Sequence, residues 1–518
     1  MRQTFTRAQM GRQGVAMRML LPRKRESRVF AGWISGRALK GRSCFLLGTV
    51  ILFLCLVSPV FAGPADRVSE SVLPNGLKVI LLENHKVPLV TFQVWYRVGS
   101  RNENWGKTGL SHVLEHMMFK GTKKVSGERF VRIIEENGGN NNAFTSRDFT
   151  AYYENLSADR VGVAIGLEAD RMRRLVLREK DFRTERMVVM EERRLRTEDN
   201  PQAYLFEQVD AAAFAVSPYH WPVIGWMEDL QRLTLDDLKV HYRTYYSPAN
   251  AFLVVVGDFK KEEILRLIRK AFGSYPKGVR PPQERNTEPP QSGERRVFVE
   301  KEAKLPFVVK GYHVPNLSEQ DSYVLEVIEA LLSGGKSSRL YRNLVRERRL
   351  VLEVDVDHPL LSHDPGLFYL SAVPMPGKDV AEVEKALDGE LERLQREQVG
   401  DEELQKAKNQ LEAAFVYGQD SLFGQAVMLA QFEVAESWKR LDDYLPAIRK
   451  VTAADVRRVA GKYFTRRNST VGILVPLPPT EGRPAPQGAT GQEQVIRYKS
   501  SESQIRGPIG FYGESQVR

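Results

Sequence analysis

Apolar and polar positions alternate along the chain in a way that separates strand-like from helix-like stretches. Leu77-Lys-Val-Ile-Leu-Leu82 and Leu89-Val-Thr-Phe-Gln-Val-Trp-Tyr96 are short, rich in β-branched and aromatic residues, and bounded by polar segments, which predicts strands. Helical periodicity follows over 108–120, 127–137, 158–174 and 180–197. Ala251-Phe-Leu-Val-Val-Val256, ending at Gly257-Asp258, predicts a further strand. Residues 281–293 mix proline with polar residues and read as a linker.

Beyond the linker the pattern begins again. Val87-Pro-Leu-Val-Thr-Phe-Gln-Val-Trp-Tyr96 is similar to Leu305-Pro-Phe-Val-Val-Lys-Gly-Tyr-His-Val314. The helical Val113-Leu-Glu-His-Met-Met-Phe-Lys-Gly121 has a counterpart in Val327-Ile-Glu-Ala-Leu-Leu-Ser-Gly-Gly335. Two copies of one α+β unit are expected, over 63–280 and 297–480, joined by 281–296. Glu326 and Ala330 stand where the first copy has His112 and His116, so the second copy is expected to hold no metal. Residues 481–518, rich in Gly, Gln, Ser and Pro, are expected to be disordered.

Charge changes the picture at the N-terminus. Residues 1–43 carry eleven Lys or Arg against one acid, Glu26, so +10 of the net +11 lies there and the remainder is close to neutral. A basic leader, the apolar run from Cys44 to Val57, and Val60-Phe61-Ala62 ahead of Gly63-Pro64 read as a secretory signal over 1–62. The alternative is a membrane anchor through 44–60. An exported, periplasmic protein is expected, without an electrostatic footprint for nucleic acid. Both cysteines, Cys44 and Cys55, fall within the leader, so neither disulfides nor thiolate ligands are expected in the mature chain.

Of eight histidines, His112 and His116 are four apart, which on a helix puts both imidazoles on one face. Glu115 lies between them, displaced around the helix, where it is better placed to take a proton from water than to bind metal. Neutral imidazoles suit zinc, but two cannot hold it for catalysis, and a third ligand must be an acid or another histidine. The acidic helical segment Glu185-Arg-Met-Val-Val-Met-Glu-Glu-Arg-Arg194 offers one. Glu185 and Glu192 are two turns apart on one face, so Glu192 is expected as ligand and Glu185 as the partner orienting a histidine. Spacing alone does not separate Glu192 from Glu191.

His112-x-x-Glu115-His116, followed 76 residues after His116 by Glu192, resembles the pitrilysin (insulinase, mitochondrial processing peptidase) family. The resemblance runs from about 70 to 475 and includes Asn142-Ala-Phe-Thr-Ser-Arg-Asp148 and Tyr245-Tyr-Ser-Pro-Ala-Asn250. It implies an α+β fold of two homologous domains, each an antiparallel sheet with helices on one side, forming half of a clamshell. It selects Glu192 as the third ligand of one Zn2+ per chain and makes Glu115 the general base. It implies that Asn142, Ala143, Phe144 and Thr145 offer a sheet edge to the peptide substrate. Members of this kind also use an Arg and a Tyr that clamp the substrate. Arg346 matches the arginine, but Leu352 or Glu353 occupies the tyrosine's place. The implied protein is a zinc endopeptidase for short or unfolded peptides in a closed chamber. It would be the zinc half of a heterodimer with a homologous subunit carrying the Arg/Tyr pair, or less readily a homodimer. The rival is a non-catalytic peptide-binding or assembly subunit of the same family.

Overall fold

The computed structural model describes residues 67–279, 281–282 and 286–478. The expected leader and the expected disordered tail lie outside the described residues. Among these residues the strands are β1 (Val68–Val72), β2 (Lys78–Glu83), β3 (Leu89–Tyr96), β4 (Asn140–Thr145), β5 (Thr150–Ser157), β6 (Ala251–Gly257), β7 (Arg295–Glu302), β8 (Phe307–Val314), β9 (Val351–Asp357), β10 (Gly366–Pro374) and β11 (Ser469–Leu477). The α-helices of the first half are α1 (Leu110–Met118), α2 (Gly127–Glu136), α3 (Val161–Arg174), α4 (Glu179–Arg193), α5 (Pro201–Ala213), α6 (Met227–Arg232), α7 (Leu235–Tyr245) and α8 (Lys261–Phe272). Those of the second half are α9 (Asp321–Ser333), α10 (Val380–Arg396), α11 (Asp401–Tyr417), α12 (Leu422–Ala435), α13 (Leu441–Lys450) and α14 (Ala453–Tyr463).

The strands form two sheets of one topology. The first has the order β1-β2-β6-β3-β5-β4 and the second β7-β11-β8-β10-β9. Five consecutive strands, β2 to β6, therefore repeat as β7 to β11, and β3 and β8 are the pair matched by sequence. Each sheet is antiparallel except at one place: β2 runs parallel to β6, and β7 parallel to β11. That exception follows from chain order, since the last strand of each unit returns to pair beside the first after several helices.

Strand alternation sorts the apolar residues onto two faces. On the first sheet Val79, Leu81, Val90, Phe92, Val94, Leu253 and Val255 share a core with α1, α3, α7 and α8. Ile80, Leu82, Trp95, Phe252, Val254 and Val256 belong instead to the core of the second half. They do so because α12 packs across β6 and β3. The reverse loan is made by α5, which lies on β11, β7 and β8, where Leu205 and Val209 meet Val299, Phe307, Val309 and Leu474. Each sheet thus keeps its own helices on one side and takes one helix from the other half on its opposite side. Buried Glu433 of α12 fastens the exchange: it accepts from Lys78 of β2 at 2.8 Å and pairs with Arg97, which follows β3.

The described part of the expected linker has no regular element until β7 begins at Arg295, two residues before its expected end, but it is pinned down. Glu288 accepts from the backbone N–H groups of Ala215, Val216 and Ser217, each at 2.8 Å. Among the described residues no helix is long and apolar enough to cross a membrane.

Candidate metal centre

Helix α1 starts at a cap supplied from the preceding loop. The Glu103 carboxylate accepts from the N–H groups of Gly109 and Ser111, both at 2.6 Å, and so satisfies donors that a helix N-terminus leaves open. Gly109 has φ +87, and a Cβ there would stand 2.7 Å from the Ile224 carbonyl oxygen, so glycine is required. From that start, Leu110, Val113, Leu114, Met117 and Met118 fall on the buried side. His112, Glu115 and His116 fall on the partly open side.

Helix α4 runs against α1 and turns two acids, two turns apart, toward the histidines. Glu192 Oε2 lies 3.8 Å from His112 Nε2 and 3.5 Å from His116 Nε2. Glu185 Oε2 lies 3.1 Å from His116 Nδ1. Donor atoms of His112, His116 and Glu192 all fall within 4.8 Å of one another. Glu191 points elsewhere: it is exposed and pairs with Arg194 at 2.8 Å. Geometry therefore separates the two acids that spacing left open. Arg193, beside Glu192, is buried and grips Glu207 of α5 through two bonds of 2.8 and 2.9 Å, which fixes the end of α4.

Electrostatics at the centre favour a cation between the carboxylates. Burial holds His112 down at about 4, so this imidazole is neutral, the form that binds metal. Burial also opposes charge on His116, but its hydrogen bonds to Glu185 and Glu192 outweigh that and hold it up at about 9. Burial works to raise Glu192, yet His116, His112 and Arg196 together bring it down to about 2. Two imidazoles and one carboxylate oxygen facing each other match in type and number what a catalytic zinc site needs, three protein ligands and one open position. The donors present therefore fit zinc.

Glu115 lies one position before His116, and its Oε2 accepts from Thr145 Oγ1. Burial raises its pKa above the usual carboxylate range. Thr145 ends β4, the edge strand of the first sheet, paired with β5 alone among the described residues. The four residues expected to receive substrate divide between the two faces of that strand. Ala143 packs against the core that contains α1 and Thr145 reaches Glu115 of that helix, while Phe144 turns the other way, its ring edge-on to Trp95 at 5.4 Å. Asn142 is exposed. Arg346 lies exposed on the helical turn Tyr341–Glu347 and takes no part in the His112–His116–Glu192 cluster.

The second half uses the matching helix positions differently. Glu326, at the place of His112, is buried and bonded to His358 Nδ1 at 2.8 Å and to the Tyr444 hydroxyl at 3.2 Å. Glu326, Glu329 and His358 bring donor atoms within 4.8 Å of one another, but no histidine pair is present on α9.

Two cations that were not among the expected site residues also stand at the centre. Lys120 Nζ lies 2.5 Å from Glu185 Oε1, and Arg196 Nη1 lies 2.6 Å from Glu192 Oε1. Arg196 was accessible to the rule that residues four apart on a helix are neighbours. Lys120 was not, because it meets Glu185 only through packing of α1 on α4.

The family description "Insulinase (Peptidase family M16)" matches residues 78–225, and "Peptidase M16 inactive domain" matches 232–411. The chain is 36% identical over 440 residues to the zinc protease PqqE of Helicobacter pylori, covering 83% of this chain and 98% of that one. It belongs to the insulinase family of M16 peptidases. A zinc protease of Streptomyces coelicolor is 29% identical, over 79% of this chain and 90% of its own. The fold is shared with a solved protease of Helicobacter pylori, with TM-score 0.77 and 34% identity, over 79% of this chain and 99% of that one. The periplasmic protease PqqL of Escherichia coli, 18% identical with TM-score 0.67, shares the fold over 79% of this chain and 48% of its own. The cluster on α1 and α4 lies within the part matched to the M16 peptidase model, and residues 232–411 match the inactive-domain model. Relatives described as zinc proteases support zinc as the cofactor.

Proposed function

We propose that this chain is a zinc endopeptidase, holding one zinc through His112, His116 and Glu192 and cleaving short or unfolded peptides within an enclosed chamber. The observation that carries the reading is the meeting of these three donors beside Glu115, which is itself bonded to the last residue of an edge strand. Bound zinc supplies Lewis acidity toward a water molecule and the scissile carbonyl. Glu115 takes the proton of that water and delivers it to the leaving amine. Thr145 occupies one oxygen of Glu115 and leaves the other for the proton. Glu185 orients His116 by accepting from its Nδ1. An extended peptide joins β4 through main-chain hydrogen bonds, which asks little of its sequence. Asn142, Ala143, Phe144 and Thr145 are the residues it would lie against.

The first domain, 63–280, carries the chemistry, and the second, 297–480, closes the chamber. Arg346 would contribute to the substrate clamp, with the phenol coming from a homologous partner subunit. Support for a partner comes from β9, where exposed Leu352 and Glu353 stand in the tyrosine's place. It also comes from the Escherichia coli protease PqqL, of which this chain spans 48%. Export to the periplasm rests on the leader's sequence.

A quenched fluorescent peptide library tests the reading, with the purified chain alone, with chelator, and with Glu115→Gln. Cleavage abolished by both treatments supports a self-sufficient zinc peptidase and removes the need for a partner. A chain that binds about one zinc yet cuts nothing calls for the subunit that supplies the tyrosine. Silence that persists with homologous partners present would favour the non-catalytic subunit.

A further inference from the structure

Each acid that faces the imidazoles is divided between two partners. Glu185 gives Oε2 to His116 Nδ1 at 3.1 Å and Oε1 to Lys120 Nζ at 2.5 Å. Glu192 gives Oε2 to the Nε2 atoms of both histidines, at 3.8 and 3.5 Å, and Oε1 to Arg196 Nη1 at 2.6 Å. We propose that Lys120 and Arg196 are positioning residues of the zinc site, each capturing the outer oxygen of one carboxylate so that only the other is presented inward. The proposal rests on the zinc reading of this centre.

The terminal torsion of a glutamate is soft and its two oxygens are equivalent, so packing alone leaves their orientation loosely set. A cation on one oxygen removes that freedom. For Glu185 this keeps the accepting oxygen on His116 Nδ1, which fixes the imidazole's tautomer and leaves Nε2 to face Glu192. For Glu192 it leaves one oxygen for the metal. A one-oxygen carboxylate with two imidazoles makes three donors and keeps a position open, whereas a two-oxygen carboxylate would tend to fill it.

Local structure places both cations for this task. Lys120 stands at the turn that ends α1, between Phe119 and Gly121. Gly121 has φ +84, and a Cβ there would meet the Val125 carbonyl oxygen at 2.4 Å. Arg196 lies in the widened helical turn Arg194–Glu198 that extends α4, four residues beyond Glu192. Both cations are partly open to solvent, with side-chain exposures of 34% for Lys120 and 56% for Arg196, whereas their acids are exposed by only 11% and 16%. Exposed ion pairs contribute little to stability. A surface-stability role therefore predicts no change at the metal, and a positioning role predicts a change there with little change in folding.

The test uses the full chain and four substitutions: Lys120→Met, Lys120→Arg, Arg196→Met and Arg196→Lys. Zinc affinity is measured by competition with a chromophoric chelator, the cobalt-substituted form by its visible absorption, and the metal-free chain by its melting temperature. Lys120→Met and Arg196→Met should weaken zinc binding by about 10- to 100-fold, the range for losing a partner behind a ligand, with an unaltered metal-free melting temperature. Lys120→Arg should restore affinity, since a cation suffices there, and Arg196→Met should alter the cobalt spectrum. Unchanged zinc affinity and cobalt spectrum in both methionine variants would overturn the proposal. So would a lowered metal-free melting temperature that fully accounts for the lost affinity. If a methionine variant does not fold, its conservative partner decides: Lys120→Arg or Arg196→Lys, each keeping a cation, should bind zinc nearly as tightly as wild type, and a loss of about 10-fold or more in a variant with an unaltered metal-free melting temperature overturns the proposal. A wild-type chain that binds no zinc would instead sink the zinc reading and this proposal with it.

Discussion

Thr145 donates its hydroxyl hydrogen to the Glu115 carboxylate, so the final residue of the edge strand and the candidate base form one unit. A peptide added to β4 would bear on the same strand that holds the base in place. Thr145→Val keeps the shape and removes the donor. The variant should lose activity by about tenfold, the equivalent of one hydrogen bond of roughly 1.4 kcal/mol to a charged group, mainly in kcat. Thr145→Ser should recover most of it. Steady-state kinetics on one peptide, with zinc content measured in parallel, checks both.

Metal binding and proton transfer fall on different side chains of one helix, and they separate by mutation. Glu115→Gln removes the base but none of the three donors. It should retain zinc and lose roughly 10²- to 10⁴-fold in rate, the range of a positioned general base. His112→Ala or Glu192→Gln should lose zinc itself, because two remaining donors do not make a catalytic site. Metal analysis after gel filtration, beside the rate, distinguishes the two classes.

The repeat and the centre were legible because each is written in local sequence. Strands β3 and β8 share an apolar alternation, and a His pair four apart declares its helix face whatever the tertiary structure. The exchange of α5 and α12 was not legible. An apolar stripe such as Leu205 and Val209 states that a helix must be covered, not which sheet covers it. Helix α12 carries less information still, since nearly all of it from Gly424 to Ala435 is buried and it has no distinct polar face. Glu191 and Glu192 illustrate the same limit at the site. They differ by 100° around α4, and only the packing of α1 tells which direction faces the histidines.

Stability should fall with acid through a histidine outside the metal cluster. His241 of α7 is buried, its Nε2 lies 3.1 Å from Ser111 Oγ, and burial holds its pKa at about 3 against 6.5 in an unfolded chain. A histidine with a depressed folded pKa stays neutral in the fold while the unfolded chain takes up a proton. The loss therefore begins as pH drops below 6.5 and is complete near 3. One proton corresponds to a slope of about 1.4 kcal/mol per pH unit. His112, at about 4, acts in the same direction in the metal-free chain. His241→Phe should flatten the pH dependence of urea unfolding between pH 6 and 4 relative to wild type, both metal-free. An unchanged slope would show that His241 is not held neutral.

The loan of α5 to the second sheet depends on a missing side chain. Gly472 lies in the middle of β11, and a Cβ there would stand 2.3 Å from Val209 Cγ2 and 3.1 Å from Leu205 Cδ1. The first distance is far inside van der Waals contact, and a valine methyl on a helix has little rotamer freedom with which to retreat. Gly472→Ala should therefore lift α5 from the sheet and destabilise the fold by about 1–3 kcal/mol, the usual cost of overpacking. Val209→Ala alone should also destabilise, by leaving a gap. Combined, the two changes should cost less than their sum, because each supplies the space or volume that the other lacks. Because α5 holds Arg193 through Glu207, the single variant should disturb zinc binding as well as melting, although Gly472 belongs to the other half of the chain. Thermal unfolding of the double-mutant cycle and the zinc affinity of Gly472→Ala test both, and simple additivity would show that the close approach is not what seats the helix.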